Sequence, residues 1–167
     1  RAMGASPSAG AVTITTNNVN PSDCMWDFQE FGGVDTSGTD GSGAVVQSAS
    51  NRSDSAGNLT VTLLALGDTV NNAVFYAYGE NVNTTTFTAN GGYTKLADLD
   101  DAGDDGYGFG TMWKLPGTTT PNMTGAAASN CGAFAIEIKA GAAAAAAAPP
   151  SPMVPSRRMI SWTRAAA

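Results

Sequence analysis

Apolar and polar residues alternate with a period of two along most of the chain, and this alternation limits the folds open to it. The runs AVTITT (11–16), NAVFYAYGE (72–80) and CGAFAIEIK (131–139) each place every second side chain on one face of an extended strand. Gly, Pro or Asn bounds each run, as is typical of strands joined by turns. With no amphipathic helix before residue 140, the pattern predicts an all-β protein, an antiparallel β-sandwich of the jelly-roll kind.

The composition changes abruptly after residue 140. Residues 141–167 read GAAAAAAAPPSPMVPSRRMISWTRAAA, in which a short alanine run precedes a proline-rich stretch. Such an alanine run is marginal as an isolated helix, and the prolines favour an extended spacer. We therefore predict two parts. Residues 1–140 form the β-sandwich domain, which lacks its first strands or belongs to a longer chain, and residues 141–167 form an extended C-terminal arm.

Charge is divided unevenly between the two parts. Residues 1–140 hold all fourteen acidic residues and five basic ones, a balance of −9, whereas the arm holds three arginines and no acid. An acidic domain disfavours nucleic acid and anionic membranes as partners, and no apolar run has the length of a membrane span. The cations of the arm are suited to an acidic neighbouring subunit.

The chain has no histidine and two cysteines. This excludes Ser–His and Cys–His nucleophile pairs and the common zinc sites. Cys24 and Cys131 are candidates for a disulfide between two strands or for two small buried thiols, and the sequence leaves both alternatives open. We expect no catalytic residues, no metal site and no cofactor.

The segment CMWDFQEF (24–31) combines a thiol, an indole and two carboxylates within eight residues. It is predicted to be a strand, with Trp26 and Phe28 on the face opposite Asp27. Asp27 and Glu30 then point to opposite faces, so they cannot act together on one substrate. A hydrolase is accordingly the least favoured function.

Two parts of the chain resemble each other and indicate an internal duplication. The matched positions lie 107 to 113 residues apart: Arg1 with Lys114, Gly4 with Gly117, Cys24 with Cys131, and Glu30 with Glu137. The match places Glu30 and Glu137 at equivalent strand ends. Turn capping or surface exposure is the favoured interpretation for both carboxylates, and an acid/base pair is the alternative.

DLDDAGDDGYG (98–108) is the densest cluster of acidic residues. Calcium prefers such oxygen ligands, but the spacing fails the EF-hand pattern because Ala102 stands at its fifth position and Phe109 at its twelfth. A solvated hairpin loop is favoured over a metal site.

Four aromatic residues are candidates either for the hydrophobic core or for a surface that stacks against sugar rings. Tyr76, Tyr78, Trp26 and Trp113 each lie in an apolar alternation, which favours core packing. In the strand GYGFGTMWKL (106–115), Gly108 and Gly110 share one face, so that another backbone can approach closely and the strand is predicted to be central.

Four segments together resemble a widespread family of bacteriophage and secreted bacterial β-sandwich domains. They are WDFQEFGGVDTSGTDGSGAVVQS (26–48), LTVTLLALGDTVNNAVFYAYGE (59–80), GGYTKLAD (91–98) and AFAIEIK (133–139). The resemblance covers residues 1–140 and leaves the arm outside. It implies a β-sandwich and a role as a particle-surface, fibre or adhesion module rather than an enzyme.

These observations predict a non-enzymatic structural component of a virus particle, a bacteriophage capsid decoration (cement) or tail fibre protein. We expect it on the virion exterior or in the extracellular space, bound to other virion subunits including copies of itself. A secreted carbohydrate-binding or adhesion module is the alternative. The predicted interface residues combine charge with apolar side chains in the arm: Arg157, Arg158, Met159, Trp162 and Arg164.

Overall fold

The described part of the chain is built from antiparallel strands. A computed structural model describes residues 25–55, 57–82, 86–100, 106–126, 129–142 and 155–157. Within these ranges the only helix is a short 3₁₀ turn, Thr39–Ala44, and no helix has the length and hydropathy needed to cross a membrane. The predicted antiparallel all-β class is therefore confirmed.

The predicted runs 72–80, 106–115 and 131–139 each coincide with a strand to within two residues, whereas the strands Asn122–Thr124 and Pro155–Arg157 fall in no predicted run. In chain order the strands are β1 (Gln29–Phe31), β2 (Val45–Ser53), β3 (Asn58–Thr60), β4 (Ala73–Asn81), β5 (Thr88–Ala89), β6 (Thr94–Asp100), β7 (Gly108–Lys114), β8 (Asn122–Thr124), β9 (Ser129–Ile138) and β10 (Pro155–Arg157). The predicted strand at 11–16 and the first residue of the predicted strand at 24–31 lie outside the described residues.

Three sheets arise from these strands. Five strands join in the order β2-β9-β4-β7-β6, three in the order β3-β8-β5, and two in the pair β1-β10. In the five-stranded sheet, β7 has a hydrogen-bonded neighbour on each side, as its glycine face predicts. On that face, Gly110 leaves room for Met123 and Phe87, which would lie only 2.6 Å and 3.0 Å from an added Cβ atom.

The main core lies between the five-stranded and the three-stranded sheet. Across the central strand pair, two large side chains lie opposite small ones: Tyr76 of β4 faces Ala135 of β9, and Tyr78 faces Ala133. Both tyrosines are fully buried. We call the face that carries them the inner face of the five-stranded sheet. The buried residues from the three-stranded sheet that complete this cluster are Leu59 and Met123.

The run Leu59–Leu66 alternates between buried and more exposed side chains as far as Leu64 but forms only a short strand. Val61 and Leu63 are buried, and their backbone N–H groups donate to the carbonyls of Pro121 and Thr119 at 3.1 Å and 2.8 Å. Strand β3 itself ends at Thr60. Every second side chain as far as Leu63 therefore remains buried beyond Thr60, where the regular hydrogen-bonded ladder ends.

The opposite, outer face of the five-stranded sheet has its own apolar cluster at one end. Phe31 of β1 packs edge-on against Phe75 of β4, with ring centroids 5.9 Å apart, and against Trp113 of β7, at 6.1 Å. Ala73 and Ile138 are the buried members of this cluster. Strand β1 thus lies over part of the outer face.

The segment before β1 presents to solvent the face that was predicted to be apolar. Trp26 and Phe28 are 47% and 36% exposed, whereas Asp27 accepts a 2.5 Å hydrogen bond from the Thr111 hydroxyl on the sheet. The predicted alternation is present, but Asp27 is on the face that points towards the sheet. It points there because the Thr111 hydroxyl donates a hydrogen bond to its carboxylate. Only Gln29–Phe31 of this segment belongs to a ladder.

Strand β10 pairs with β1 of the same chain, so that Gln29 lies opposite Arg157. The two stretches matched by the proposed duplication differ in the structure: β1 is a three-residue strand of the two-stranded sheet, and β9 is a ten-residue strand inside the five-stranded sheet. The remaining matched residues of the first copy, including Arg1 and Gly4, lie outside the described residues.

Candidate functional site

A cleft of about 500 Å³ opens at the end of the five-stranded sheet where β4 ends and β7 and β9 begin. These ends adjoin because Glu80 of β4 faces Gly108 of β7 on one side and Cys131 of β9 on the other. We call this feature the sheet-end cleft. Six of the residues that line it are Met25, Gly79, Asn81, Tyr107, Gly108 and Asn130.

The backbone is irregular where the cleft forms. The ladder between β4 and β9 shifts register between Glu80 and Asn81, and Asn130 has a left-handed φ of 61°. A register shift bends its strand and re-aims the neighbouring side chains. Asparagine tolerates left-handed backbone better than most residues, so Asn130 allows the chain to turn into β9 at the cleft.

A compact polar cluster lies on the inner face beside the cleft. Tyr78 donates its hydroxyl to the Glu80 carboxylate at 2.6 Å, and the backbone N–H of Ala126 donates to the same carboxylate at 3.0 Å. Glu80 and Cys131 are buried, with 3% and 2% exposure. Burial first, and then the neighbouring Cys131 and Glu80, raise the pKa of Tyr78. Tyr78 therefore remains a protonated donor for Glu80 at neutral pH.

A second buried carboxylate, Glu137, is enclosed by donors. Gly67 donates its backbone N–H at 2.8 Å, Asn72 its side-chain amide at 2.6 Å and Gln47 its side-chain amide at 2.7 Å. Glu137 is fully buried on the inner face, whereas Glu30 belongs to β1 above the outer face. The structure does not bring the two carboxylates together, and Glu137 has the turn-binding role that the sequence favoured.

An apolar groove of about 460 Å³ runs along the outer face beyond β1. Its floor is formed by Ala77, Gly79 and Gly132, and the two glycines lie directly opposite each other on β4 and β9. Phe109 and Phe134 form its walls. Phe134 is 42% exposed, and an added Cβ atom at Gly132 would meet nothing within 4 Å. We call this feature the outer-face groove.

The predicted aromatic residues have different environments. Tyr76 and Tyr78 are in the core, as predicted, and Trp113 is half-buried in the outer-face cluster. Trp26 is the exception, because it is largely exposed. Core packing is therefore the main role of the tyrosines, while Trp26 lies on the surface.

The predicted interface and disulfide residues fall mostly outside the described part of the chain. Arg157 is described as part of the β10 backbone, opposite Gln29, and Cys131 is buried in β9. Both therefore have defined positions in the sheets. The other predicted residues lie outside the described residues: Cys24, Arg158, Met159, Trp162 and Arg164.

The acidic loop is described only at its ends, because residues 101–105 lie outside the described ranges. At its start, the Asp98 carboxylate accepts hydrogen bonds from the Lys95 side chain and the Phe87 backbone. Among the residues that the structure describes, no three His, Cys, Asp or Glu side chains lie close enough together to hold a metal ion.

The sequence did not single out the side chains that line the sheet-end cleft. Tyr107 was assigned only a strand parity, and Asn81 and Asn130 were not considered as a pair. The signal that points to Asn130 is the asparagine that precedes Cys131, since a left-handed residue at a strand start favours this residue type. Comparisons of the chain with known protein families, with curated proteins and with solved structures find no match.

Proposed function

We propose that this protein is a non-enzymatic structural component of a bacteriophage particle, a capsid decoration (cement) or fibre protein with a β-sandwich as its body. It acts by attachment, on the virion exterior, to other subunits and to further copies of itself. The observation that carries this proposal is the outer-face groove, an apolar surface walled by Phe109 and Phe134 that the described part of the chain leaves open.

The packing of the sheets supports the sandwich. Side chains of the five-stranded sheet, such as Tyr76 and Met112, share one buried cluster with Leu59 and Met123 of the three-stranded sheet. Two layers that enclose one core are the defining arrangement of a sandwich. The exposed outer face is then available for contact with another subunit.

The shape of the groove suits an interface. Its two glycines leave the backbone bare between two phenyl rings, so an apolar side chain of a neighbouring subunit can insert there and lose its contact with water. Aromatic residues at the centre of a contact commonly supply most of its binding energy. The groove also continues the outer-face cluster that Phe31 already covers from within the chain.

The polar network supports a structural role over a catalytic one. The carboxylates of Glu80 and Glu137 are both buried and accept hydrogen bonds from several strands and loops. They lie in separate networks, and general acid/base catalysis needs two such groups at one substrate. Their hydrogen bonds instead join elements distant in sequence, as a durable particle subunit requires.

The arm is the second element of the proposal. Strand β10 contributes only three residue pairs to β1, and a two-stranded ladder of that length is marginal in water. In the assembly, the arm (residues 141–167), with Arg157, Arg158, Met159, Trp162 and Arg164, fastens one copy to its neighbour. Charged and aromatic anchors of this kind are enriched in interface centres.

A substitution that fills the groove tests the proposal. Gly132→Val adds a side chain into open space, so the fold should persist while association of the full chain, measured by sedimentation velocity, falls at least tenfold. Gly32→Val is the matched control, because Gly32 also has open space around its Cβ position and does not line the groove. Undiminished association of the Gly132→Val variant contradicts the assembly role of the groove.

A separate experiment tests whether the protein is part of a phage particle. A gold-labelled antibody against the chain should decorate the outside of phage particles whose genome encodes it. Deletion of residues 143–167 should abolish that labelling while the unfolding midpoint of the purified domain stays unchanged. Particles that lack the label contradict a virion location, and labelled particles that carry the truncated chain contradict the role of the arm.

A further inference from the structure

We propose that the sheet-end cleft binds a neutral saccharide, with one sugar ring stacked on Tyr107. This function is additional to assembly and does not depend on it. The cleft lies at the end of the five-stranded sheet and adjoins the outer-face groove at Gly79 and Phe109, which line both. Its volume of about 500 Å³ falls in the range of small-molecule sites.

Tyr107 supplies the stacking surface. It is 40% exposed at the start of β7, whereas Tyr76 and Tyr78 are fully buried. A phenol ring offers an apolar face together with a polar tip. The C–H face of a sugar ring is complementary to such a surface, because it is the least polar face of a ligand that is otherwise rich in hydroxyl groups.

Two carboxamides supply the polar contacts. Asn81 and Asn130 line the cleft and are exposed, and within the described residues neither side chain is hydrogen-bonded. Each carboxamide has two N–H donors and a carbonyl acceptor. Sugar hydroxyls both donate and accept, so a pair of carboxamides matches them better than it matches a purely anionic or purely apolar ligand.

Charge disfavours an anionic ligand. Among the described residues, neither Lys nor Arg lines the cleft, and the chain as a whole carries a net charge of −6. Acidic polymers would meet no cation in the cleft and a repulsive field around it. The Glu80 carboxylate beside the cleft accepts hydrogen bonds from Tyr78 and Ala126, which fixes its position in the wall.

The backbone keeps the cleft open. Gly79 and Gly108 form part of its lining and bring no side chain into it. Asn130 holds a left-handed conformation that costs most non-glycine residues free energy. Residues in such conformations cluster at binding sites, and here the conformation places a carboxamide at the cleft that a regular strand would direct elsewhere.

The test uses the full chain and an array of neutral oligosaccharides built from glucose, galactose, mannose and N-acetylglucosamine. The strongest binder is then titrated by NMR, where the backbone signals of Gly79, Tyr107 and Asn130 should shift. Tyr107→Ala should weaken binding about tenfold, whereas Tyr107→Phe should retain most of it, because the stacking ring remains.

Two further variants test the cleft. Asn130→Gly preserves the left-handed backbone and removes the carboxamide, so it should weaken binding several-fold with the unfolding midpoint unchanged. Gly32→Val is the control, because Gly32 lines neither the cleft nor the groove and has open space at its Cβ position, so it should leave saccharide binding intact. Absence of binding to every oligosaccharide overturns the proposal, as does binding that survives Tyr107→Ala or is lost in Gly32→Val.

Discussion

Asn72 donates a 2.6 Å side-chain hydrogen bond to the buried carboxylate of Glu137, 65 positions further along the chain. The same carboxylate accepts from Gln47 on the edge strand β2 and from the backbone of Gly67 in the loop before β4. One side chain of β9 thus holds an edge strand and a loop in place. All three partners are donors, and between them they use both oxygens of the carboxylate as acceptors.

Replacement of Glu137 by Gln should destabilise the protein by about 1–3 kcal/mol, because one acceptor oxygen becomes a donor that faces other donors. Glu137→Ala should cost more, since it leaves all three donors without their acceptor. Urea unfolding followed by tryptophan fluorescence measures both. Glu30→Gln is the control, and we expect a change within about 0.5 kcal/mol because Glu30 is only half-buried. Equal effects at both positions would contradict the special role of Glu137.

A second prediction concerns two glycines of the five-stranded sheet. Gly110→Ala should cost about 1–3 kcal/mol, because the new methyl group would overlap Met123 and press against Phe87. Gly132→Ala is its matched counterpart, with nothing within 4 Å of the added atom. It should be neutral or slightly stabilising, since alanine restricts the unfolded chain. Similar unfolding midpoints for the two variants would refute the close packing at Gly110.

The third prediction is a loss of stability in alkali. Burial raises the pKa of Tyr76, Tyr78 and Tyr93 above the ordinary value of 10.0. Above that pH the unfolded tyrosines lose their protons while the folded ones keep them. The stabilisation is therefore complete below pH 10 and declines as the pH rises further. Urea midpoints measured at about pH 9 and about pH 11 should differ in this direction. Tyr93→Phe should flatten the decline.

The fourth prediction concerns acid. Lys139 donates to Asp35 across 2.7 Å, and this hydrogen bond, together with those from Ser37, lowers the pKa of Asp35 from its ordinary value of 3.8. The resulting stabilisation is present above 3.8 and is lost as the pH falls below it towards the lowered value. Asp35→Asn should remove this part of the acid dependence in thermal unfolding. Asp54→Asn should change little, because the Arg52–Asp54 pair is exposed.

The sequence predicts the strands well where alternation reports burial directly. Tyr76 and Tyr78 belong to the core because every second residue of β4 faces inward. Alternation alone does not say which face is inward, and the prediction that Trp26 packs in the core is wrong for that reason. Its segment is oriented by the Thr111–Asp27 hydrogen bond, which joins residues 84 positions apart.

The polar sites depend on contacts that no local pattern contains. Glu80 receives a donor from Ala126, 46 positions away, and Glu137 receives one from Gln47, 90 positions away. The order of strands that creates these contacts places β9 between β2 and β4. Nothing in the spacing of the runs specifies that order, so the sheet-end cleft could not be predicted from the sequence.

The facing glycines of β4 and β9 have a consequence for how this protein can diversify. Gly132 has free space above it, so its codon can change to that of a larger residue without disturbing the interior. Each such change reshapes the groove floor and leaves the folding determinants untouched. In the proposed assembly, a substitution at Gly132 therefore changes which partner the groove fits without changing the stability of the fold.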